Sequence, residues 1–265
     1  MKTNTIRFFL AGDIFGSVGM HAVQTLLPAF IKEEKIDITV INGENATGGV
    51  GLSLEDARSI LAAGADVITG GNHTFEKRDY WEVLEILPEV LRPANYPEGT
   101  VGRGYGIFEK NGLTFAVLNL QGREDMYPLD CPFRCADAVL SSLEKEGFNG
   151  PIIVDFHAES NQEKEALGLY LDGRVLSVTG THTHVQTADE RILSGGTVYQ
   201  TDLGMTGTSG SVIGVDPALA IKRNITQVLY KMEPHNGPGF LRGLIVDLDL
   251  STGKAFTIKR IQKGE

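Results

Sequence analysis

Histidine, acidic and amide side chains recur along this chain at spacings that could assemble a metal site. The segment TGTHTHVQT contains two of them, His182 and His184, directly after the apolar run 175–178. Side chains at i and i+2 of an extended chain point to the same side of it. We therefore expect both imidazoles to face one place, where they could bind metal ions.

The same residue types follow four other apolar runs of the chain. The side chains at the five run ends are Asp13, Glu44 with Asn45, Asn72 with His73, His157, and His182 with His184. Each is a metal-ligand type or a proton carrier, and ligands of open α/β sheets bind outside the carboxyl ends of strands. Nitrogen and oxygen ligands without sulfur favour Fe, Mn or Zn over Mg or Ca. The pattern therefore predicts a metal site at the end of a sheet.

Each of these signals also has an ordinary structural explanation. A single histidine at a strand end is usually hydrogen-bonded, and Asn-Gly or Gly-Glu-Asn sequences are common in turns. Gly12-Asp13 with Gly16 and Gly19 could form a dinucleotide-binding turn, but the spacing is not G-x-G-x-x-G and Asp13 would repel a pyrophosphate. The phosphate-binding sequence G-x-x-x-x-G-K-[ST] does not occur. Five such run ends in one chain favour the metal site.

Strands that alternate with helices would position these side chains. The predicted strands are residues 6–11, 38–42, 67–69, 114–119, 152–156, 175–178 and 198–201, and the predicted helices are residues 21–34, 54–63, 76–87, 136–146, 163–171 and 218–229. Ser53 and Asp216-Pro217 are predicted helix starts, and residues 241–250 and 255–261 are a predicted hairpin. This order predicts an α/β fold with a mixed sheet, or two sheets sandwiched by helices, in a single domain over residues 1–265.

Composition and charge argue against several classes of protein. Hydrophobic residues make up 42% of the chain and charged residues 22%, which is typical of globular proteins. No apolar stretch approaches the roughly 18 residues of a membrane span, and the N-terminus leads straight into a strand instead of a signal peptide. The net charge of −10, without a Lys/Arg cluster, argues against stable complexes with nucleic acid or acidic membranes.

The two cysteines, Cys131 and Cys135, are too few for a disulfide framework and indicate a reducing compartment, which predicts a cytoplasmic protein. Two thiols would make only half of a zinc site, so we interpret them as small apolar residues. The predicted partner is a small-molecule substrate whose phosphate bound cations would neutralise, and a homo-oligomer stays open.

The ordered set of motifs resembles one known family. Asp13, GEN (43–45), GNH (71–73), His157 and THTH (181–184) are similar to the YmdB family of calcineurin-like metallophosphoesterases, which are bacterial 2′,3′-cyclic nucleotide phosphodiesterases. The similarity covers nearly the whole chain, in INGENATGGVGLS, GADVITGGNHTFEK, LRPANYPEGT, LNLQGR, DFHAE, THTHVQTAD and TDLGMTG. It implies a four-layer αββα sandwich of two mixed sheets flanked by helices.

At two motifs this chain differs from most members of the wider superfamily, and these differences favour the YmdB family within it. Most members carry Asp-x-His after the first strand, where this chain has Asp13-Ile14-Phe15. Most carry Gly-Asp after the second, where this chain has Gly43-Glu44-Asn45. Both features are YmdB-like, and Asn45 would supply an oxygen ligand in place of the missing histidine.

The resemblance implies two metal ions per chain, with iron favoured and manganese or zinc as alternatives. Asp13, Glu44, Asn45 and His184 would hold one ion, and Glu44, Asn72, His157 and His182 the other, with Glu44 bridging the two. A metal-bridging hydroxide would attack phosphorus, and His73 would donate a proton to the leaving oxygen. The expected reaction is phosphodiester hydrolysis of a cyclic nucleotide, 2′,3′-cyclic before 3′,5′-cyclic.

Two other functions and two other segments stay open. The same site could belong to a phosphomonoesterase, or to a non-catalytic metal-dependent binding or signalling protein. Thr74 follows His73 where many relatives have an acid, so the sequence does not show what orients His73. Residues 204–210 could contact a phosphate or be a flexible connection, and residues 92–97 are more simply a structural turn than a substrate contact.

Overall fold

Residues 4–264, the part of the chain that the computed structural model describes, contain thirteen strands and six helices. In chain order they are β1 (Thr5–Ala11), β2 (Asp13–Ile14), α1 (Gly16–Glu34), β3 (Ile38–Asn42), α2 (Leu54–Ala62), β4 (Val67–Thr69), α3 (Asp79–Ile86), β5 (Tyr105–Lys110), β6 (Leu113–Gln121), α4 (Pro132–Lys145), β7 (Ile152–His157), α5 (Asn161–Tyr170), β8 (Ser177–Thr181), β9 (Arg191–Ile192), β10 (Val198–Gln200), β11 (Met205–Thr208), α6 (Pro217–Thr226), β12 (Gly239–Asp249) and β13 (Lys254–Gly264).

The strands form two mixed sheets. The first has the order β2-β11-β12-β1-β3-β4, and β13 pairs with β12. Within it β1, β3 and β4 are parallel, whereas β12 runs antiparallel to β1. The second sheet has the order β5-β6-β7-β8-β10-β9, with a parallel centre from β6 to β10 and antiparallel strands at both edges. Parallel strands bring their carboxyl ends to one edge of a sheet.

The apolar clusters show that the two sheets pack face to face. Alternation along β1 sends Phe8 and Leu10 into a cluster shared with Phe115 and Ile153 of the second sheet. Phe9 points the other way, into a cluster with α1, α2 and α3. A third cluster joins the outer face of the second sheet to α4 and α5. The layers are therefore helices, sheet, sheet, helices, which confirms the predicted αββα sandwich.

Most predicted elements lie close to their observed positions. Residues 38–42 and 67–69 match β3 and β4, and the predicted hairpin is β12 and β13. Both predicted helix starts hold: Ser53 Oγ accepts a hydrogen bond from Asp56 N at 3.1 Å, and Asp216 Oδ1 accepts one from Leu219 N at 3.0 Å. Last, no helix within residues 4–264 has both the length and the apolar character that crossing a membrane requires.

The sequence prediction was wrong at three places. The strand predicted at 175–178 is β8, Ser177–Thr181, because its polar and small residues pair with β7 although they break the apolar run. The helix predicted to reach residue 229 ends at Thr226, where Gln227 adopts a left-handed φ of 57°. Residues 205–208 are neither a flexible connection nor a loop, since they form the buried strand β11 between β2 and β12.

Candidate metal centre

The residues predicted to bind metal lie at one end of the sandwich, and both sheets contribute to them. Asp13 follows β1, Glu44 and Asn45 follow β3, and Asn72 and His73 follow β4, all in the first sheet. His157 ends β7 of the second sheet, and His182 and His184 follow β8. Because both sheets end here, ligands that are far apart in sequence come into contact.

One group of side chains is centred on the His157 ring. Its Nε2 lies 2.9 Å from Glu44 Oε1, 2.9 Å from Asn72 Oδ1 and 3.1 Å from His182 Nδ1. Ligand atoms of Glu44, His157 and His182 all lie within 4.8 Å of one another. The structure thus brings together the four residues expected at one of the two ions.

The other four residues form a second, looser group beside the first. His184 Nε2 lies 3.4 Å from Asn45 Nδ2 and 4.0 Å from Asp13 Oδ1. Asn45 Nδ2 also donates to Glu44 Oε1 at 3.2 Å. Glu44 therefore contacts members of both groups, which is the position that a bridging carboxylate would need.

Two buried oxygen atoms of these side chains lack hydrogen-bond partners, as would be expected of metal ligands. The side chains of Asp13, Glu44 and His157 are fully buried, yet Asp13 Oδ1 and Asn45 Oδ1 find no hydrogen-bond donor within residues 4–264. Leaving such oxygens unsatisfied is costly, and a metal ion would satisfy them. Gly71 keeps the space open, because a Cβ there would collide with the Glu44 carboxylate and the His157 ring.

In the absence of a cation, the buried acidic and imidazole groups shift one another's pKa values. Burial raises the pKa of Asp13 to about 6. Burial would also raise the pKa of Glu44, but the attraction of His157 outweighs it and lowers that pKa to about 2. Burial opposes the charge of His157 in turn, yet Glu44 and Asp13 raise its pKa to about 9. Without metal, protonated His157 therefore supplies the positive charge beside the two carboxylates that a bound cation would otherwise supply.

Each ligand histidine is oriented through the ring nitrogen that points away from the site. His157 Nδ1 lies 3.0 Å from Thr181 Oγ1, and His184 Nδ1 donates to Ile213 O at 2.9 Å. His182 Nε2 lies 3.2 Å from the Glu159 carboxylate. Such outer contacts fix the ring and its tautomer, so that the other nitrogen would be free to face a bound metal ion.

His182 and His184 face one place for a different reason than strand alternation. β8 ends at Thr181, and both histidines have positive φ angles, 102° and 64°, which non-glycine residues rarely adopt. Asp202 holds the turn between them: its carboxylate accepts from Thr183 N at 3.1 Å and from Thr183 Oγ1 at 2.8 Å. Lys164 Nζ, also buried, donates to the same carboxylate at 2.7 Å. A clamp of two buried charges thus supports a strained turn.

His73 lies beside the cluster without joining it. Its backbone N–H donates to Glu44 Oε2 at 2.9 Å. Its ring Nδ1 lies 2.8 Å from Glu76 Oε1, within ion-pair distance although the angle is not that of a hydrogen bond. The carboxylate that accompanies His73 therefore stands three residues along the chain instead of next to it.

A cavity of about 490 Å³ opens beside the cluster. Its lining includes His73, His182 and His184, but no residue of β11. The turn at 92–97 is structural: the Arg92 guanidinium donates to the carbonyl oxygens of Val101, Pro93 and Thr100. Cys131, the residue before α4, and Cys135, in its first turn, are free thiols and do not line this cavity.

The sequence prediction did not include five residues that shape the site: Phe15, Glu76, Glu159, Lys164 and Asp202. Glu159 follows His157 by two residues and Phe15 follows Asp13 by two, so both could have been found from their spacing to a ligand. Asp202 lies in the quoted TDLGMTG motif, but nothing in the sequence pairs it with Lys164, which is 38 residues earlier. These two meet only in the folded chain.

Comparison with known proteins agrees with the fold and with the site motifs. A sequence model of the family described as YmdB-like protein matches residues 9–261. The 2′,3′-cyclic-nucleotide 2′-phosphodiesterase of Bacillus subtilis is 44% identical over 256 residues, covering 97% of this chain and 96% of that protein.

Two crystal structures resemble the chain over its whole length. A Thermus thermophilus protein described as hypothetical has a TM-score of 0.90 at 36% identity and covers 98% of this chain and 100% of its own. A structure described as a novel phosphatase from Mycoplasma pneumoniae has a TM-score of 0.91 at 32% identity, with 99% and 95% coverage. With these matches, the resemblance of the strand-end motifs is confirmed, and the chain belongs to the YmdB-like family.

Proposed function

We propose that the chain is a two-metal phosphodiesterase that hydrolyses cyclic nucleotides, with 2′,3′-cyclic nucleotides preferred. The observation that carries this proposal is the buried cluster of nitrogen and oxygen side chains, two of whose oxygens lack partners, beside an open cavity. The printed activity of the Bacillus subtilis relative supports the choice of substrate.

The enzyme class follows from the comparisons with known proteins. The name of that relative and the phosphatase structure confirm the predicted class, a phosphoric diester hydrolase. The candidate group of Glu44, His157 and His182 agrees with a dependence on divalent metal. The number of ions, their identity and the roles of individual residues remain our proposals.

Two sets of residues would hold the ions. They are Asp13, Glu44, Asn45 and His184 for one ion, and Glu44, Asn72, His157 and His182 for the other. The ligands would combine imidazole with oxygen and contain no sulfur, which suits iron, manganese or zinc. Among these, we favour iron because of the family resemblance. When bound, two cations would lower the pKa of a water molecule and neutralise charge on the phosphoryl oxygens.

The residues of the chain position the substrate and move a proton. His182 is suited to be a neutral ligand, because burial and the nearby His157 lower its pKa to about 3. We assign to His73, which lines the cavity, the donation of a proton to the leaving alkoxide. Glu76 would hold its ring in place for that step.

Metal analysis and turnover together test this function. We expect the purified protein to contain about two equivalents of metal and to hydrolyse adenosine 2′,3′-cyclic phosphate faster than the 3′,5′-cyclic isomer and far faster than p-nitrophenyl phosphate. Preferential hydrolysis of the monoester would favour a phosphomonoesterase. Bound metal without turnover of any of the three would favour a non-catalytic binding protein.

Four further proposals concern the whole chain. We propose one domain, because β1 and β12, near opposite ends of the chain, pair at the centre of the first sheet. We propose a cytoplasmic location from the two free thiols. The partner would be a small-molecule phosphodiester and not a nucleic acid, given the net charge of −10. Exposed apolar side chains in and after α6, such as Ile225 and Leu229, would suit a homo-oligomer.

A further inference from the structure

The cavity beside the metal-binding cluster has two chemically different halves. The polar half consists of Asn45, His73, Glu159, His182, Thr183 and His184. The apolar side chains of the lining, here called the apolar wall, are Phe15, Val50, Ile213, Val215, Met232 and Pro234. The phosphodiester chemistry needs only the polar half, so the apolar wall requires another explanation.

The ring of Phe15 is closely packed beside the cluster. It packs edge-on against His184, with ring centroids 5.2 Å apart and an interplanar angle of 69°. A Cβ on Gly214 would lie 2.5 Å from the ring, and one on Gly49 would lie 3.3 Å from it. Both glycines have positive φ angles, 99° and 87°, so side chains are disfavoured there on two grounds. The chain thus packs an aromatic ring closely between His184 and the two glycines.

The other side chains of the apolar wall come from a different part of the chain. Ile213, Val215, Met232 and Pro234 belong to the connection between β11 and β12, which passes through α6. Pro234 lies against the same glycine segment, 3.2 Å from a Cβ placed on Gly49. The apolar wall is therefore built from three segments, which contribute Phe15, Val50 and the side chains of residues 213–234.

We propose that the apolar wall is a subsite for the nucleobase of a nucleotide whose phosphodiester lies at the ligand cluster. This inference rests on the proposed function and adds how the substrate is selected. A nucleobase is flat and aromatic, and stacking on an aromatic side chain is favourable for every base. A cavity of about 490 Å³ with an apolar side and a few convergent polar groups has the form of a small-molecule site.

The wall also indicates what kind of selectivity to expect. Apart from Arg223 at the cavity lining, it offers no charged side chain to read the edge of a base. Stacking without edge recognition tolerates all bases and favours purines only through their larger rings. The subsite should therefore separate nucleotides from phosphodiesters that lack a base, and should hardly separate one nucleotide from another.

The test compares two substrates with the same reacting ring. Adenosine 2′,3′-cyclic phosphate and glycerol 1,2-cyclic phosphate share a five-membered cyclic phosphodiester, but only the first carries a base. We expect the wild type to prefer the nucleotide in kcat/KM. Met232→Ala and Phe15→Leu should each lower that preference by roughly tenfold, mainly through KM, because aromatic and apolar contacts to a base are weakened. The metal content of each variant is measured alongside.

A matched control removes an apolar side chain from the same connection. Ile225 is 76% exposed in α6 and does not line the cavity, so Ile225→Ala should leave the preference unchanged. Equal wild-type efficiency on both substrates would overturn the inference. So would variants that lose activity equally on both, since the wall would then support the metal site and not the base.

A binding measurement separates this inference from the proposed function. Titration calorimetry with adenosine 2′-phosphate and with glycerol 2-phosphate reports the same preference without turnover. If neither cyclic diester is hydrolysed, the proposed function fails. The base subsite still stands if the nucleotide binds more tightly and Met232→Ala removes that difference, and it falls if the two ligands bind alike.

Discussion

Glu44 is the carboxylate that contacts both groups of side chains in the candidate metal centre. Its Oε1 contacts His157 and Asn45, and its Oε2 accepts from the backbone of His73. No other carboxylate within residues 4–264 contacts both groups so closely; Asp13 approaches the His157 ring only to 3.7 Å. We therefore assign the proposed bridging role to Glu44.

Replacing Glu44 with Ala should remove both ions and nearly all phosphodiesterase activity, because each ion would lose a ligand and the shared charge. Elemental analysis after reconstitution measures the loss, and far-UV circular dichroism checks the fold. Glu55→Ala, an exposed acid of α2, is the matched control and should keep both metals. A Glu44→Ala protein with two equivalents of metal would contradict the bridging role.

Replacing His73 with Ala should leave the metals bound and lower kcat by roughly 10²–10⁴-fold on a nucleoside 2′,3′-cyclic phosphate. A nucleoside alkoxide needs a proton to leave, whereas p-nitrophenolate hardly does, so the loss on bis-p-nitrophenyl phosphate should be smaller. Glu76→Gln should reproduce part of the loss by releasing the ring. Equal losses on both substrates would instead assign His73 to charge stabilisation.

At the scale of elements, the turn after β8 depends on contacts far from it in sequence. His182 and His184 adopt left-handed backbone conformations, and such residues persist only where their surroundings hold them. Asp202 after β10 and Lys164 in α5 supply that support. A clamp of this kind would let one short turn present His182 and His184 to two different ions, as we propose.

Replacing Lys164 with Met should leave the Asp202 carboxylate buried and unpaired, at a cost of about 3–5 kcal/mol. We expect a lower melting temperature and weaker metal binding, measured by calorimetry and metal titration. The double variant Lys164→Met with Asp202→Asn removes both charges and should recover part of the stability. If the single variant kept both its melting temperature and its metal affinity, the clamp would have no role.

The sequence predicted which side chains lie together at this end of the sheets, but not the contacts that support them. Asp13, Glu44 and His157 could be found because each lies at or just after the end of an apolar strand, a local pattern that needs no knowledge of the fold. The facing of His182 and His184 was expected correctly from a wrong premise, since they lie beyond the strand. Glu76 and the pair Lys164 with Asp202 were missed because their meaning depends on which segments meet in space.

At the scale of the whole molecule, the candidate metal centre lies where the two sheets meet. The first sheet supplies Asp13 and Glu44, the second supplies His157 and His182, and these side chains touch only at this end. In the metal-free protein the contact is an ion pair. The pKa of His157 is raised to about 9 from 6.5, and that of Glu44 is lowered to about 2 from 4.5.

The stability of the metal-free protein should therefore fall as pH rises. A raised histidine pKa contributes fully below pH 6.5, and its contribution is lost as pH rises through about 9. The lowered pKa of Glu44 contributes above pH 4.5 and is lost as pH falls through about 2. A metal ion replaces the proton on His157, so metal binding should release protons and strengthen with pH.

Melting temperatures with chelator and with added metal, measured from pH 6 to pH 9, check this expectation. The metal-free melting temperature should decline across the range, and the increment that metal provides should grow. His21→Gln, a change outside the metal centre, serves as the matched histidine control and should keep the same profile. An increment that stays flat over this range would contradict the exchange of proton for metal.

The pairing of β1 with β12 sets the point in protein synthesis at which the centre can assemble. The ribosome releases residues Thr5–Ala11 first, but their antiparallel neighbour Gly239–Asp249 follows every other strand of that sheet except β13. Until then the first sheet lacks a central strand, and β2, which contains Asp13, is not joined to β1 through β11 and β12. We therefore expect metal uptake to follow the synthesis of β12, so that the cell would supply the ions to the folded sheet and not to the emerging chain.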